Sequence, residues 1–334
     1  SRGDELICLA TPNDGSDVGT AVASVPVTVL NTAPTLGMVE IDASPVYESS
    51  LLNCTALAWQ DDDGDQLGDI APSGALAEVT FVWLVNGQPA GSGPSLNGAD
   101  FSRGDELLCL ATPHDGRNAG LEVASTVVMV LNTAPTLGAA VIDPAAIYES
   151  TSVACAATGW QDDDGDQLGD LTPTGALAEV TFSWLVNGQS AASGASLSGA
   201  DFSRGDELVC VATPHDGHAA GAPVSSAPAT VQNSAPTLLS ATLNQSLIYE
   251  SSTVLCSASG WQDDDGDQPG DTAPSGALAE VTFAWLVNGQ PAGSGESLSG
   301  ADFNSGDELV CVATPTDGWD VGVEVASAAL IVLN

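Results

Sequence analysis

The chain has 334 residues, with 44 acidic side chains, four arginines and no lysine, for a formal charge of −40. A surface this acidic cannot replace counterions along a phosphate backbone or be drawn to an anionic membrane, which excludes nucleic-acid and membrane-surface binding. Apolar residues at 43% supply core material, and 36 glycines and 19 prolines favour short strands and turns over helices.

Read from the N-terminus, the chain repeats itself. Residues 1–30 match residues 102–131 and read as the last two strands of a preceding, truncated copy. Its apolar stretches Leu6–Ala10 and Val25–Leu30 would leave open edges. The expectation is therefore a window of a longer polypeptide in which Cys8 bonds upstream of Ser1; the alternative is strand addition to a neighbouring subunit. Asn-(Thr/Ser)-Ala-Pro-Thr then opens three full copies, at Asn31, Asn132 and Asn233. A proline after small polar residues interrupts strand pairing and marks a linker. The expected domains are 31–131, 132–232 and 233–334, a tandem array with a 101-residue period. Charge is shared among them, at −12, −11 and −14, so acidity belongs to the module.

Within the first copy, Tyr47-Glu48-Ser49 leads into a strand over Ser50–Leu57, and Val79–Val85 alternates up to Asn86-Gly87, a strong hairpin signal. A strand over Asp105–Ala111 follows, then the Asp115-Gly116 turn and a final β run over Glu122–Leu131. About seven short strands in 101 residues, with no helical period, predict an all-β array of immunoglobulin-like β-sandwiches. Cys54, Trp83 and Cys109 recur as Cys155, Trp184 and Cys210, then as Cys256, Trp285 and Cys311. Two cysteines around a core tryptophan predict the disulfides Cys54–Cys109, Cys155–Cys210 and Cys256–Cys311; buried free thiols are the alternative. Each closed loop would contribute about 4 kcal/mol on the chain-entropy model, and would place the protein outside a reducing cytosol.

The strings Tyr-Glu-Ser…Cys, Trp-Gln-Asp-Asp-Asp-Gly-Asp, Trp-Leu-Val-Asn-Gly, Gly-Asp-Glu-Leu…Cys and Ala-Thr-Pro-x-Asp-Gly together resemble tandem bacterial immunoglobulin-like repeats of the cadherin or PKD type. The resemblance spans the whole chain. It implies an extracellular or cell-surface setting and a stalk, fibre or adhesin role. The step of 29 residues from Cys54 to Trp83 exceeds an immunoglobulin spacing, and the excess lies in an acidic loop.

That loop carries Asp61, Asp63, Asp65, Asp69 and Glu78 in the first copy. The second has Asp162, Asp164, Asp166, Asp170 and Glu179, and the third Asp263, Asp265, Asp267, Asp271 and Glu280. Carboxylates about 5 Å apart repel by roughly 3 kcal/mol per pair at an effective dielectric near 20, so the loop calls for a cation. Alternate aspartates around a glycine can converge on Ca²⁺, which takes six to eight oxygens, whereas Mg²⁺ demands a tighter octahedron. Pro72 at the twelfth position rules out an EF-hand. A solvated acidic loop is the competing reading. In an immunoglobulin-like sandwich this loop shares one end with Asp115 and the incoming Asn31. By resemblance to cadherin-like modules, Asp115, Asp216 and Asp317, with Glu48, Glu149 and Glu250, could complete the sites; a turn-forming Asp-Gly and a capping Asn are the plainer roles.

Other motifs point elsewhere less well. His114, His215 and His218 flank the Asp-Gly turn, and Thr316 replaces the first two in the third copy, so neither catalysis nor zinc is expected. Arg-Gly-Asp occurs at Arg2, Arg103 and Arg204, where Gly-Asp reads as a turn into the second-cysteine strand. Trp59 and its equivalents are expected in the core, leaving Trp319 as the candidate exposed aromatic. The expected function is a structural extracellular shaft of a surface filament or giant adhesin, rigidified by Ca²⁺ and one disulfide per domain. Its partners would be further copies of the same repeat, with lateral self-association possible in principle; the alternative is an adhesive module for glycan or protein.

Overall fold

A computed structural model describes residues 1–334, which form two compact units. The first comprises Ser1–Pro135 with Gln161–Leu177 and Asp216–Ala219; the second comprises Thr136–Trp160, Ala178–His215 and Ala220–Asn334. No helix is long and apolar enough to cross a membrane.

Each full repeat is an immunoglobulin-like pair of mainly antiparallel sheets, with one parallel pairing in the third, Ile248–Tyr249 beside Leu330–Leu333. In the first, Leu51–Leu57 lies between Met38–Ile41 and Ser95–Asn97. The other sheet runs Gln88–Ser92, Ala77–Val85, Glu106–Asp115, with Val123–Ala124 and Val128–Met129 both pairing to the last. Alternation explains the core. Along Glu106–Asp115 every second residue turns inward, so Leu107, Cys109 and Ala111 are buried, and so is Asp115 at its end. Trp83 is fully buried, and its indole N–H donates to the Gly93 carbonyl, 3.1 Å away. The disulfides Cys54–Cys109, Cys155–Cys210 and Cys256–Cys311 cross from sheet to sheet in the three repeats. The hairpin after Val85 is closed by Asn86 and Gly87, both at positive φ, as a two-residue turn between twisted strands requires. Cys8 is exposed and unpaired, and the strands around it, Glu5–Leu6 with Val27–Thr28 and Leu9–Ala10 with Val22–Ala23, are exposed throughout.

Two strand boundaries depart from the sequence expectation. The second-cysteine strand extends past Ala111 to Asp115, because Thr112 to Asp115 continue the ladder with Ala77 to Thr80. The run over Glu122–Leu131 divides into Val123–Ala124 and Val128–Met129. Ser125 lies between them and explains the break. It is buried, and its hydroxyl accepts the Cys109 N–H in place of a strand carbonyl, then donates to Thr126 O. Ser226 and Ser327 accept the same bond from Cys210 and Cys311.

Candidate metal centre

The alternation that buries Asp115 brings it to the end of the sandwich where the acidic loop lies. Carboxylate oxygens of Asp61, Asp65 and Asp115 lie within 4.8 Å of one another, as do those of Asp162, Asp166 and Asp216, and of Asp263, Asp267 and Asp317. Each cluster sits inside one unit: the first two in the first unit, the third in the second. The linker asparagine joins it. Asn31 Nδ2 donates to Asp115 at 2.7 Å, and Asn132 and Asn233 do the same to Asp216 and Asp317 at 2.8 Å. The middle aspartate of each loop grips the linker backbone: Asp63 accepts from Thr32 N, Asp164 from Thr133 N and Asp265 from Ser234 N. Trp59 is half-buried rather than in the core, because its indole N–H donates to the Asp65 carbonyl and ties down the loop; Trp261 does likewise with Asp267.

The preceding segment supplies a cation. Arg2 is paired with Asp65, Arg103 donates to Asp166 at 2.5 Å and to Asn132 at 3.0 Å, and Arg204 donates to Asp267 at 2.5 Å and to Asn233 at 2.7 Å. The Arg-Gly-Asp motifs thus reach into the next repeat's acidic loop, a role the local reading of Gly-Asp missed. The available signal was economy: three of only four arginines in the chain recur at one repeat position.

Other expected ligands lie elsewhere. Asp69, Asp170 and Asp271 turn back to accept the amides of Gln66, Gln167 and Gln268, capping their own tight turns. Glu78, Glu179 and Glu280 are exposed on strands, opposite His114, His215 and Thr316. Glu48 accepts the Arg103 amide at 2.5 Å, Glu149 the Arg204 amide at 2.5 Å and Glu250 the Ser305 amide at 2.7 Å. Glu48 and Glu149 therefore anchor the turn that sends arginine onward, and Glu250 anchors the equivalent turn, where Ser305 stands. His114 accepts the Gly116 amide through Nδ1, a turn contact.

Electrostatics show one guanidinium to be insufficient. The Asp164 and Asp265 side chains are fully buried, yet Oδ1 of each has no hydrogen-bond partner, and Oδ2 of Asp61, Asp162 and Asp263 is equally orphaned. Buried unpaired carboxylate oxygens are costly, and a hard cation is the partner that an all-oxygen site suits. The donor set therefore suits a hard cation such as Ca²⁺: Asp61, Asp65 and Asp115, and their counterparts, could hold it, with Asp63, Asp164 and Asp265 beside them. The arginine hydrogen bond holds Asp65 below the usual carboxylate range. Burial pushes Asp162 and Asp265 up, and pushes Asp263 up to about 6 with the fields of Asp265, Asp267 and Asp317 adding. Burial also works against Asp115 and Asp317, but hydrogen bonds from the linker asparagine and from turn amides outweigh it and hold both low.

A pH dependence follows for metal-free protein. Between the ordinary aspartate value and about 6, folded Asp263 binds more protons than unfolded Asp263, so its contribution to stability declines as pH rises through that window. In chelator, melting of the third repeat should move upward on acidification from pH 7 to pH 5. Asp263→Asn should flatten that slope; differential scanning calorimetry showing the same slope in both proteins would refute the assignment.

No family model matches the chain, and no curated protein matches it in sequence. Among solved structures, it is similar to chicken CNTN1 FN1–FN3 domains, at 7% identity and TM-score 0.24 over 90% of this chain and 100% of that one. Three N-terminal domains of the bacteriophage RB49 Highly Immunogenic Outer Capsid protein match at 14% identity and TM-score 0.23, over 89% and 98%. The N-terminal eight immunoglobulin domains of Down Syndrome Cell Adhesion Molecule match at 11% and 0.36, over 100% of this chain and 40% of that one.

Proposed function

We propose that this chain is a structural segment of an extracellular array, the shaft of a surface filament or large adhesin, in which Ca²⁺ fixes each repeat to its predecessor. One observation carries the reading. At every linker the same half-buried cluster joins a preceding arginine, the linker asparagine and the next repeat's aspartates, and it retains buried carboxylate oxygens with no partner. Bound Ca²⁺ would supply the positive charge those oxygens lack and make the linker part of a rigid coordination shell. Sheet-crossing disulfides fit an oxidising compartment, and the domains proposed at 31–131, 132–232 and 233–334 are each stapled by one of them. Trp319 gives the adhesive alternative little support, since Arg204 stacks on its ring at 5.0 Å and so ties it to the cluster.

Calorimetry tests the metal and small-angle X-ray scattering tests the shaft role. A site saturated a hundredfold above its dissociation constant stabilises the folded state by about 2.7 kcal/mol. Melting should therefore rise steadily with Ca²⁺, and the maximum dimension of the chain should grow and sharpen. Melting and scattering curves indifferent to chelator would leave only a solvated acidic loop.

A further inference from the structure

The three clusters share their aspartates but not the two residues after the Asp-Gly turn. In the first repeat these are Arg117 and Asn118, in the second His218 and Ala219, in the third Trp319 and Asp320. The turn aspartate's Oδ1 accepts both amides in each case, so the side chains are set down beside the cluster by the same local fold. Their chemistry differs sharply. Arg117 brings a second guanidinium within 3.6 Å of Asp65, which Arg2 already holds. His218 and Ala219 add no fixed charge. Trp319 stacks on Arg204, and Asp320 accepts from Asn233 at 2.9 Å beside Asp317, adding a fifth carboxylate.

We propose that these two positions grade the junctions in cation affinity, the first weakest and the third strongest. The inference rests on the reading of the clusters as Ca²⁺ sites. The first site sets four carboxylates against two guanidiniums, the second four against one, and the third five against one. A unit charge about 6 Å from a divalent ion changes its affinity roughly tenfold even at the dielectric of water, so the outer sites should differ by about a hundredfold. Buried, unpartnered Asp164 Oδ1 and Asp265 Oδ1 mark the second and third sites as the ones most in need of an added cation. As Ca²⁺ falls, the junctions therefore release in order along the chain, the one before the first full repeat earliest.

The test uses the full chain with two sites disabled at a time, by Asp63→Asn with Asp65→Asn, Asp164→Asn with Asp166→Asn, or Asp265→Asn with Asp267→Asn. Ca²⁺ affinity is read by competition against Tb³⁺, whose luminescence the loop tryptophans can excite. Dissociation constants should fall from the first site to the third by about tenfold per step. Because the disabled chains could fold poorly, a second arm leaves every aspartate intact. Arg117→Trp should tighten the first site about tenfold, and Trp319→Arg should weaken the third by as much. Three sites equal within twofold, or an Arg117→Trp chain with unchanged affinity, would overturn the grading while leaving the metal sites standing. Chains that take up neither Tb³⁺ nor Ca²⁺ would overturn the metal reading itself, and the grading with it.

Discussion

Trp83→Ala is expected to cost the first repeat about 3–5 kcal/mol, the usual range for truncating a fully buried tryptophan. The ring has no exposed surface and lies in one cluster with both half-cystines, Leu52, Leu107 and Val130. Its removal opens a cavity between the sheets and strands the Gly93 carbonyl that its N–H now satisfies. Trp59→Ala in the same repeat is the control. That ring is half-buried and its single hydrogen bond goes to the loop carbonyl of Asp65, so its loss should cost no more than about 2 kcal/mol. Hydrogen exchange read by mass spectrometry, resolved to residues 31–131, measures both. Comparable losses would mean that the core does not centre on Trp83.

Gly98→Ala should be the second most damaging change, by steric contact and not by backbone conformation. A Cβ at Gly98 would lie 1.5 Å from the Glu48 carbonyl oxygen, and the equivalents at Gly199 and Gly300 would lie 1.7 Å from those of Glu149 and Glu250. Backbone cannot yield as a side-chain end can, so about 3 kcal/mol is expected, at the upper end for overpacking. Displacing Glu48 also loosens the Arg103 amide it accepts, so the effect should reach the neighbouring cluster as weaker Ca²⁺ uptake. Gly93→Ala, at φ +96° but facing open space, should cost about 1–2 kcal/mol and leave Ca²⁺ uptake unchanged. Thermal melts of the two variants with and without Ca²⁺ separate the cases; a Gly98→Ala chain that melts like the parent would contradict the packing.

The sandwich was legible because its signals are local: alternation, the Asn86-Gly87 turn and cysteines at a fixed period. So was the meeting of Asp61 with Asp115, since topology alone brings those two loops to one end. What escaped was set by side chains with distant or competing partners. Arg103 finds Asp166 63 residues on, across a repeat boundary, which no window of local sequence connects. Asp69 has the right charge and spacing for a ligand, yet the Gln66 amide three residues away captures it first. Glu48 is a candidate to complete its own repeat's site by resemblance alone, whereas it secures the turn that serves the next one. Ser125 looked like one more strand residue, and only its burial under Cys109 shows why the strand divides there.

The split ownership of each junction bears on how such a chain can change length. The arginine comes from one repeat and the aspartates from the next, always 61 and 63 residues further along. Recombination that adds or deletes a whole 101-residue unit between the first and second repeats regenerates a junction with every group in place. A crossover that shifts the frame inside a unit instead leaves an arginine without its carboxylates, or buried carboxylates without any counter-charge. Selection on folding would remove such products. The third repeat stands outside this exchange as a donor, because Ser305 occupies the arginine position. A unit inserted directly after it would meet a serine and would lack the guanidinium that the other junctions share.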